Sequence, residues 1–120
     1  LSILFCCMTV TSCAQDTGFI QTLTVAEFKT AIDNNEVQLV DVRTPEEFNN
    51  GSIQNALNIN YFKEKEFKSA FEKMEKSKPI LIYCRSGNRS GKSALKLQDM
   101  GFQKIYDLQG GYLNWIEQKN

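Results

Sequence analysis

Cys84 is followed at once by Arg85-Ser86-Gly87-Asn88-Arg89-Ser90. Two guanidiniums, two hydroxyls and a glycine within six residues make an electropositive, hydrogen-bonding setting. Such settings stabilise a thiolate, the nucleophilic form of cysteine. Ahead of Cys84, the run Ile80-Leu81-Ile82-Tyr83 after Pro79 reads as a fully buried central strand. Behind it, Ser90 can cap a helix that carries Ala94, Leu97 and Met100 and is closed by Gly101. Cys84 therefore belongs where a buried strand gives way to a loop and a helix N-terminus. At such places successive amides converge on an anion, and the helix dipole adds positive potential. Gly87 supplies a positive φ if the turn demands one. A buried, inert cysteine is the commoner state of a lone thiol, but it needs none of these neighbours. The chemistry indicated is attack by the Cys84 thiolate, with Arg85, Ser86, Gly87, Asn88, Arg89 and Ser90 binding an anionic reactant.

Several alternatives fall away on composition. Histidine is absent from the 120 residues, which excludes Ser-His-Asp triads, Cys-His dyads and His-ligated zinc. The other three cysteines, Cys6, Cys7 and Cys13, crowd the N-terminus, and no CxxC pair is present for dithiol redox chemistry. No metal and no cofactor are expected. Fourteen basic and 14 acidic residues cancel without a basic arm or stripe, which argues against nucleic acid as a partner. The length suits one domain with one core, acting as a monomer.

The elements that must position Cys84 are legible on either side of it. Thr24-Val25-Ala26-Glu27 is a capping box that opens a helix with Val25, Phe28, Ala31 and Ile32 on one face. Val37–Val42 is a short apolar strand with Asp41 near its end. A second capping box, Thr44-Pro45-Glu46-Glu47, opens a short helix that stops near Gly51. Ala56–Asn60 reads as a short strand, and Phe67, Ala70, Phe71 and Met74 recur at helical spacing. Lys104–Leu108 is a last strand, and Gly110-Gly111 turns the chain into a helix with Tyr112, Trp115 and Ile116. Strands alternating with helices imply an α/β fold: a small, mainly parallel sheet with helices on both faces.

Residues 1–13 are uncharged and mostly apolar or small, too short to span a bilayer as a helix. They read as the apolar part of an export signal. Val10-Thr11-Ser12-Cys13 resembles the bacterial lipoprotein box, so Cys13 is expected to carry lipid. Residues 14–19 then form a polar tether, and residues 20–120 the domain. The expected location is a bacterial cell envelope, anchored to the membrane by lipid and facing the periplasm.

Three segments together resemble the rhodanese family. Tyr83–Ser90 is similar to its active-site loop, Asp41-Val42-Arg43-Thr44-Pro45-Glu46-Glu47-Phe48 to its first signature, and Gly110-Gly111-Tyr112-Leu113-Asn114-Trp115 to its last. They stand in the family's order and span residues 20–118. One departure is Gly51-Ser52-Ile53-Gln54-Asn55-Ala56, where the family usually has Gly-His-Ile-Pro-Gly-Ala. The resemblance implies a sulfurtransferase. Cys84 would take a sulfane sulfur from a donor such as thiosulfate and pass it, as a persulfide, to a thiol or cyanide. Arg85 and Arg89 would bind the anionic donor, while Asp41 and Arg43 give structural support.

Rival readings share the loop. A cysteine phosphatase or arsenate reductase of the same fold uses a longer loop, wide enough for a tetrahedral oxyanion, whereas here Arg89 follows Cys84 after only four residues. A binding module without catalysis commonly lacks the cysteine. A persulfide carrier serving a protein partner needs the same residues as the thiosulfate enzyme.

Overall fold

The computed structural model describes residues 18–118, and in them strand and helix alternate from end to end. In chain order they are β1 (Phe19–Leu23), α1 (Val25–Ile32), β2 (Gln38–Asp41), α2 (Pro45–Asn49), β3 (Leu57–Asn58), α3 (Glu64–Glu72), β4 (Ile80–Tyr83), α4 (Asn88–Asp99), β5 (Lys104–Leu108) and α5 (Gly111–Gln118). The five strands form one sheet in the order β1-β5-β4-β2-β3, and every pairing is parallel.

β4 is central because its sequence tolerates no water on either face. Ile80, Leu81, Ile82 and Tyr83 are all wholly buried. Period-two alternation sends Ile80 and Ile82 to one face, where they meet Phe67 and Phe71 of α3 and Ala94 and Leu97 of α4. Leu81 and Tyr83 point to the other face, against Phe28 of α1 with Tyr112 and Trp115 of α5 beside them. Each fully buried ring or branched chain contributes about 1.5–3 kcal/mol of transfer free energy. The sheet is thus covered on both faces, as parallel sheets must be.

Both capping boxes are present as read. Thr24 accepts from the Glu27 amide and Thr44 from the Glu47 amide, and each glutamate reaches back to its cap. Gly101 stands just beyond the Met100 cap of α4 with φ +100°. Three readings need correction. Phe19, the last residue of the expected tether, is the first of β1, an edge strand paired with β5; residues 14–17 lie outside the described residues. The strand expected over Ala56–Asn60 shortens to Leu57–Asn58. Ser90 does not cap α4: the cap is Gly87, with φ +111° and no side-chain hydrogen bond, and Ser90 is the helix's third residue. A positive φ at Gly87 lets the chain enter the helix early, within the loop itself.

The topology places the crevice. β2 continues to β3 on one side of the sheet, and β4 continues to β5 on the other. The loops leaving the neighbouring strands β2 and β4 therefore diverge, and ligands in open parallel sheets bind where that happens. Cys84 follows β4, and Arg43 follows β2.

Candidate active site

Cys84 is a free thiol, 1% exposed, directly after the last residue of β4. The Gly87 amide donates to its Sγ at 3.1 Å. The thiol in turn donates to Ser90 Oγ at 3.3 Å. The loop therefore folds back on its own sulfur, with the N-terminus of α4 aimed at it. A helix N-terminus offers positive potential to an anion bound there.

The loop is held from behind by α5. The Tyr112 amide donates to the Cys84 carbonyl at 2.8 Å, and the Leu113 amide to the Arg85 carbonyl at 3.1 Å. These carbonyls satisfy otherwise orphaned amides at the α5 N-terminus. The approach requires Gly111, whose φ is +62°: a Cβ there would lie 2.5 Å from the Arg85 carbonyl oxygen. The Gly-Gly signature thus acts on the active-site loop through backbone contact.

The six residues after Cys84 divide into two groups. Gly87 and Ser90 touch the sulfur; Arg85, Ser86 and Asn88 are exposed at the mouth. Arg89 is committed elsewhere, with Nη1 and Nη2 donating to Glu47 Oε1 and Oε2 at 2.7 and 2.9 Å. The Arg89 hydrogen bonds hold the Glu47 carboxyl well below its usual range, at about 2, and the same contact raises the guanidinium's pKa. Glu47 Oε1 also accepts from the Thr44 amide and hydroxyl. The second capping box therefore anchors α4 to α2, and Arg85 is left as the loop's guanidinium without an ion pair among the described residues.

Asp41 and Arg43 form a buried unit beside the loop. Asp41 is wholly buried, and Arg43 Nη2 lies 2.6 Å from its Oδ2. Arg43 also donates to the Gly51 carbonyl and stacks its guanidinium 4.3 Å from the centre of the Tyr112 ring. Burial opposes the Arg43 charge, but its hydrogen bonds to Asp41 and the attraction of nearby groups outweigh this, so its pKa is raised. Tyr83, whose hydroxyl accepts from the Ile53 amide at 3.0 Å, has its pKa pushed up by burial. Cys13 lies outside the described residues.

Two residues escaped the sequence reading. Glu47 was legible as a cap, but not as the partner of Arg89. Asp107 sits in β5 at 8% exposure, and the alternation Ile105-Tyr106-Asp107-Leu108 does carry a signal: it puts a carboxylate on a core-facing position. A cavity of about 490 Å³ between α1, the turn at residues 52–55 and Trp115 is lined by no residue of the loop.

Comparison with known proteins bears on this geometry. Residues 24–118 match the family described as rhodanese-like domain. The chain is 38% identical over 96 residues to the uncharacterized protein YqhL of Bacillus subtilis, covering 80% of this chain and 72% of that one. It is 33% identical over 84 residues to thiosulfate sulfurtransferase GlpE of Coxiella burnetii, covering 70% of this chain and 76% of the relative. It is also 33% identical over 86 residues to tRNA uridine(34) hydroxylase of Pelagibacter ubique, covering 72% of this chain but 29% of that longer protein. Among solved structures, a rhodanese-related protein from Thermoplasma volcanium superposes with a TM-score of 0.71 at 31% identity. That match covers 82% of this chain and 92% of the other.

Proposed function

Because the chain belongs to the rhodanese-like domain family, we propose that it is a sulfurtransferase working through a persulfide on Cys84. The observation that carries this is the sulfur itself: an unpaired thiol at a helix N-terminus, with the Gly87 amide 3.1 Å from Sγ. The likeness to a thiosulfate sulfurtransferase over most of that protein's length supports the same reading.

In the first step the Cys84 thiolate attacks the outer sulfur of thiosulfate. A new S–S bond forms, the donor's S–S bond breaks, and sulfite leaves with the bonding electrons. Exposed Arg85 meets the dianion as it arrives and the sulfite as it departs. The enzyme-bound persulfide is anionic at its outer sulfur, and the α4 N-terminus offers it positive potential. An acceptor thiolate or cyanide then attacks that outer sulfur, releasing a persulfide or thiocyanate and restoring the Cys84 thiolate. No proton need be moved by a separate base. The test is intact mass followed by peptide mapping after incubation with thiosulfate. One added sulfur on Cys84 is expected; a protein that gains none and turns over none overturns the reading.

Arg85 and Arg89 are expected to fail differently, because Arg89 is paired with Glu47 whereas Arg85 has no ion pair among the described residues. Arg85→Ala should raise KM for thiosulfate about tenfold, equivalent to about 1.4 kcal/mol of ground-state binding, with kcat little changed. Equal losses in kcat and kcat/KM with KM unchanged would contradict the assignment.

We further propose that the domain works at a bacterial envelope, anchored by lipid on Cys13. This rests on the uncharged run ending in Val10-Thr11-Ser12-Cys13. Stable anchoring takes more than one acyl chain. With residues 1–12 removed, a lipidated Cys13 leaves Cys84 without an internal thiol to oxidise against. Expressed in a bacterium, the full chain should fractionate with membranes and carry the mass of a lipid on Cys13. Cys13→Ala should release it or leave it unprocessed. Soluble cytoplasmic protein that retains residues 1–12 would sink the anchor and leave the sulfur chemistry standing.

A further inference from the structure

Phe62 is the most exposed large apolar side chain among the described residues, at 63%. Apolar residues scattered singly over a surface need no function. The others of this kind, Phe19, Leu57, Leu95, Leu113 and Ile116, lie within strands or helices. Phe62 alone among them stands in a loop. That loop leaves β3 at the carboxyl edge of the sheet, the edge from which Cys84 and Arg43 also emerge.

The ring is fixed in that place. The Tyr61 amide donates to the Val42 carbonyl at 3.0 Å, which ties the loop to the end of β2. The Phe62 amide donates to Asn60 Oδ1 at 3.0 Å and closes an Asx turn. Tyr61 meets the Phe62 ring edge to face, with centroids 5.6 Å apart. From the active-site loop, the Arg89 guanidinium carbon lies 5.5 Å from the Phe62 ring centre. Glu47 holds that guanidinium by two hydrogen bonds, which keeps the cation beside the ring. Phe62 therefore borders the loop from Cys84 to Arg89 with most of its surface bare. A ring already ordered in the free protein loses little further freedom on contact.

The chemistry of the reactants decides which of them meets it. Thiosulfate, sulfite and cyanide are small anions without an apolar surface, and the face of an aromatic ring is its negative pole. The acceptor thiol is the reactant that brings a carbon body to the loop. We propose that Phe62 is a specificity-determining residue for the second half of the reaction, selecting acceptors whose thiol is carried beside an apolar group. This rests on the sulfurtransferase reading and names its second substrate. The acceptor sulfur attacks the outer sulfur of the Cys84 persulfide. A new S–S bond forms, the persulfide bond breaks, and its electron pair stays on Cys84 while the apolar group covers Phe62.

The same chemistry has two sources, a small thiol with an apolar substituent and a cysteine flanked by an apolar residue in a polypeptide. Benzyl mercaptan against 2-mercaptoethanol probes the first. A short peptide with cysteine next to phenylalanine, against one with cysteine next to serine, probes the second. A covalent intermediate lets loading and discharge be measured apart. The full chain is loaded with thiosulfate, the added sulfur is mapped to Cys84, and the discharge rate with each acceptor is read as a second-order constant. The wild type should prefer the apolar member of at least one pair by about tenfold. A preference in the peptide pair alone assigns a polypeptide acceptor, and one in both pairs assigns the apolar group itself. Phe62→Ala should abolish the preference without slowing loading by thiosulfate. Phe62→Leu loses the contact of ring with cation but keeps apolar surface, and should retain most of the preference. Thermal melts check that these exposed-site variants fold. No preference in the wild type overturns the proposal, as does a preference that survives Phe62→Ala. A fall equal for all acceptors in both the Ala and the Leu variants also overturns it, since that result belongs to support of Arg89. A chain that thiosulfate never loads refutes the sulfurtransferase reading, whereas normal loading followed by discharge without preference refutes this proposal alone.

Discussion

Cys84→Ser is expected to lose persulfide formation and turnover together, by at least about 10⁴-fold in kcat, while folding as before. The two halves of that expectation have separate causes. A serine hydroxyl at this site keeps the hydrogen-bonding roles of the thiol: it can accept from the Gly87 amide and donate to Ser90 Oγ. No buried polar group is orphaned, so stability should change by about 1 kcal/mol or less. What disappears is the nucleophile. A hydroxyl needs a general base to attack at neutral pH, and the chain contains no histidine to act as one. Cys84→Ala is a poorer control, because it leaves the Gly87 amide and Ser90 hydroxyl facing a small void. The checks are intact mass after thiosulfate, a sulfite-release assay and a thermal melt on the same preparation. A serine variant that retains most of its activity would move the chemistry away from Cys84 altogether.

Much of the frame around Cys84 is local in origin, and local signals are the ones a single sequence displays. The run Ile80–Tyr83 has no polar residue to expose, so it had to be central, and its end had to be the loop. Thr24 and Thr44 carry their capping partners three residues downstream, within reach of any reader. The parts that stayed hidden join distant segments. Nothing around Glu47 shows that Arg89, 42 positions later, will take both of its oxygens. β1 was missed because Gln21 and Thr22 are polar and exposed; an edge strand paired on one side has no need of a continuous apolar run. Ser90 was misplaced because serine is a good cap in general, while here Gly87 has already turned the chain by a positive φ. That correction matters chemically. A capping Ser90 would spend its oxygen on helix amides, whereas a Ser90 inside the first turn is free to meet Cys84.

Arg43→Met should produce the largest loss of stability of any single change near the site. Asp41 is wholly buried, and Arg43 supplies three of the hydrogen bonds its carboxylate receives from side-chain nitrogens. Methionine keeps the apolar stem against Tyr83 and Tyr112 but removes the charge. The Asp41 carboxylate is then left in a dry setting with the Arg43 backbone amide as its remaining partner, and the Gly51 carbonyl loses its donor. Removing one member of a buried pair costs about 3–5 kcal/mol, and for a domain of this size the expected fall in Tm exceeds about 10 °C. Replacing both members tests the cause. Arg43→Met with Asp41→Leu removes the uncompensated charge and should recover part of the loss. It cannot recover all of it, since the Arg43 amide and the Gly51 carbonyl stay unpaired. Activity separates support from catalysis: Arg43 stacks over the ring of Tyr112, the residue whose amide holds the Cys84 carbonyl, and its own hydrogen bonds go to Asp41 and Gly51 rather than to the sulfur. At a temperature where the single variant is still folded, KM for thiosulfate should be little changed. A variant within about 1 kcal/mol of the wild type would show that the pair contributes nothing specific. A fully stable variant with a raised KM would instead place Arg43 in the binding of the donor.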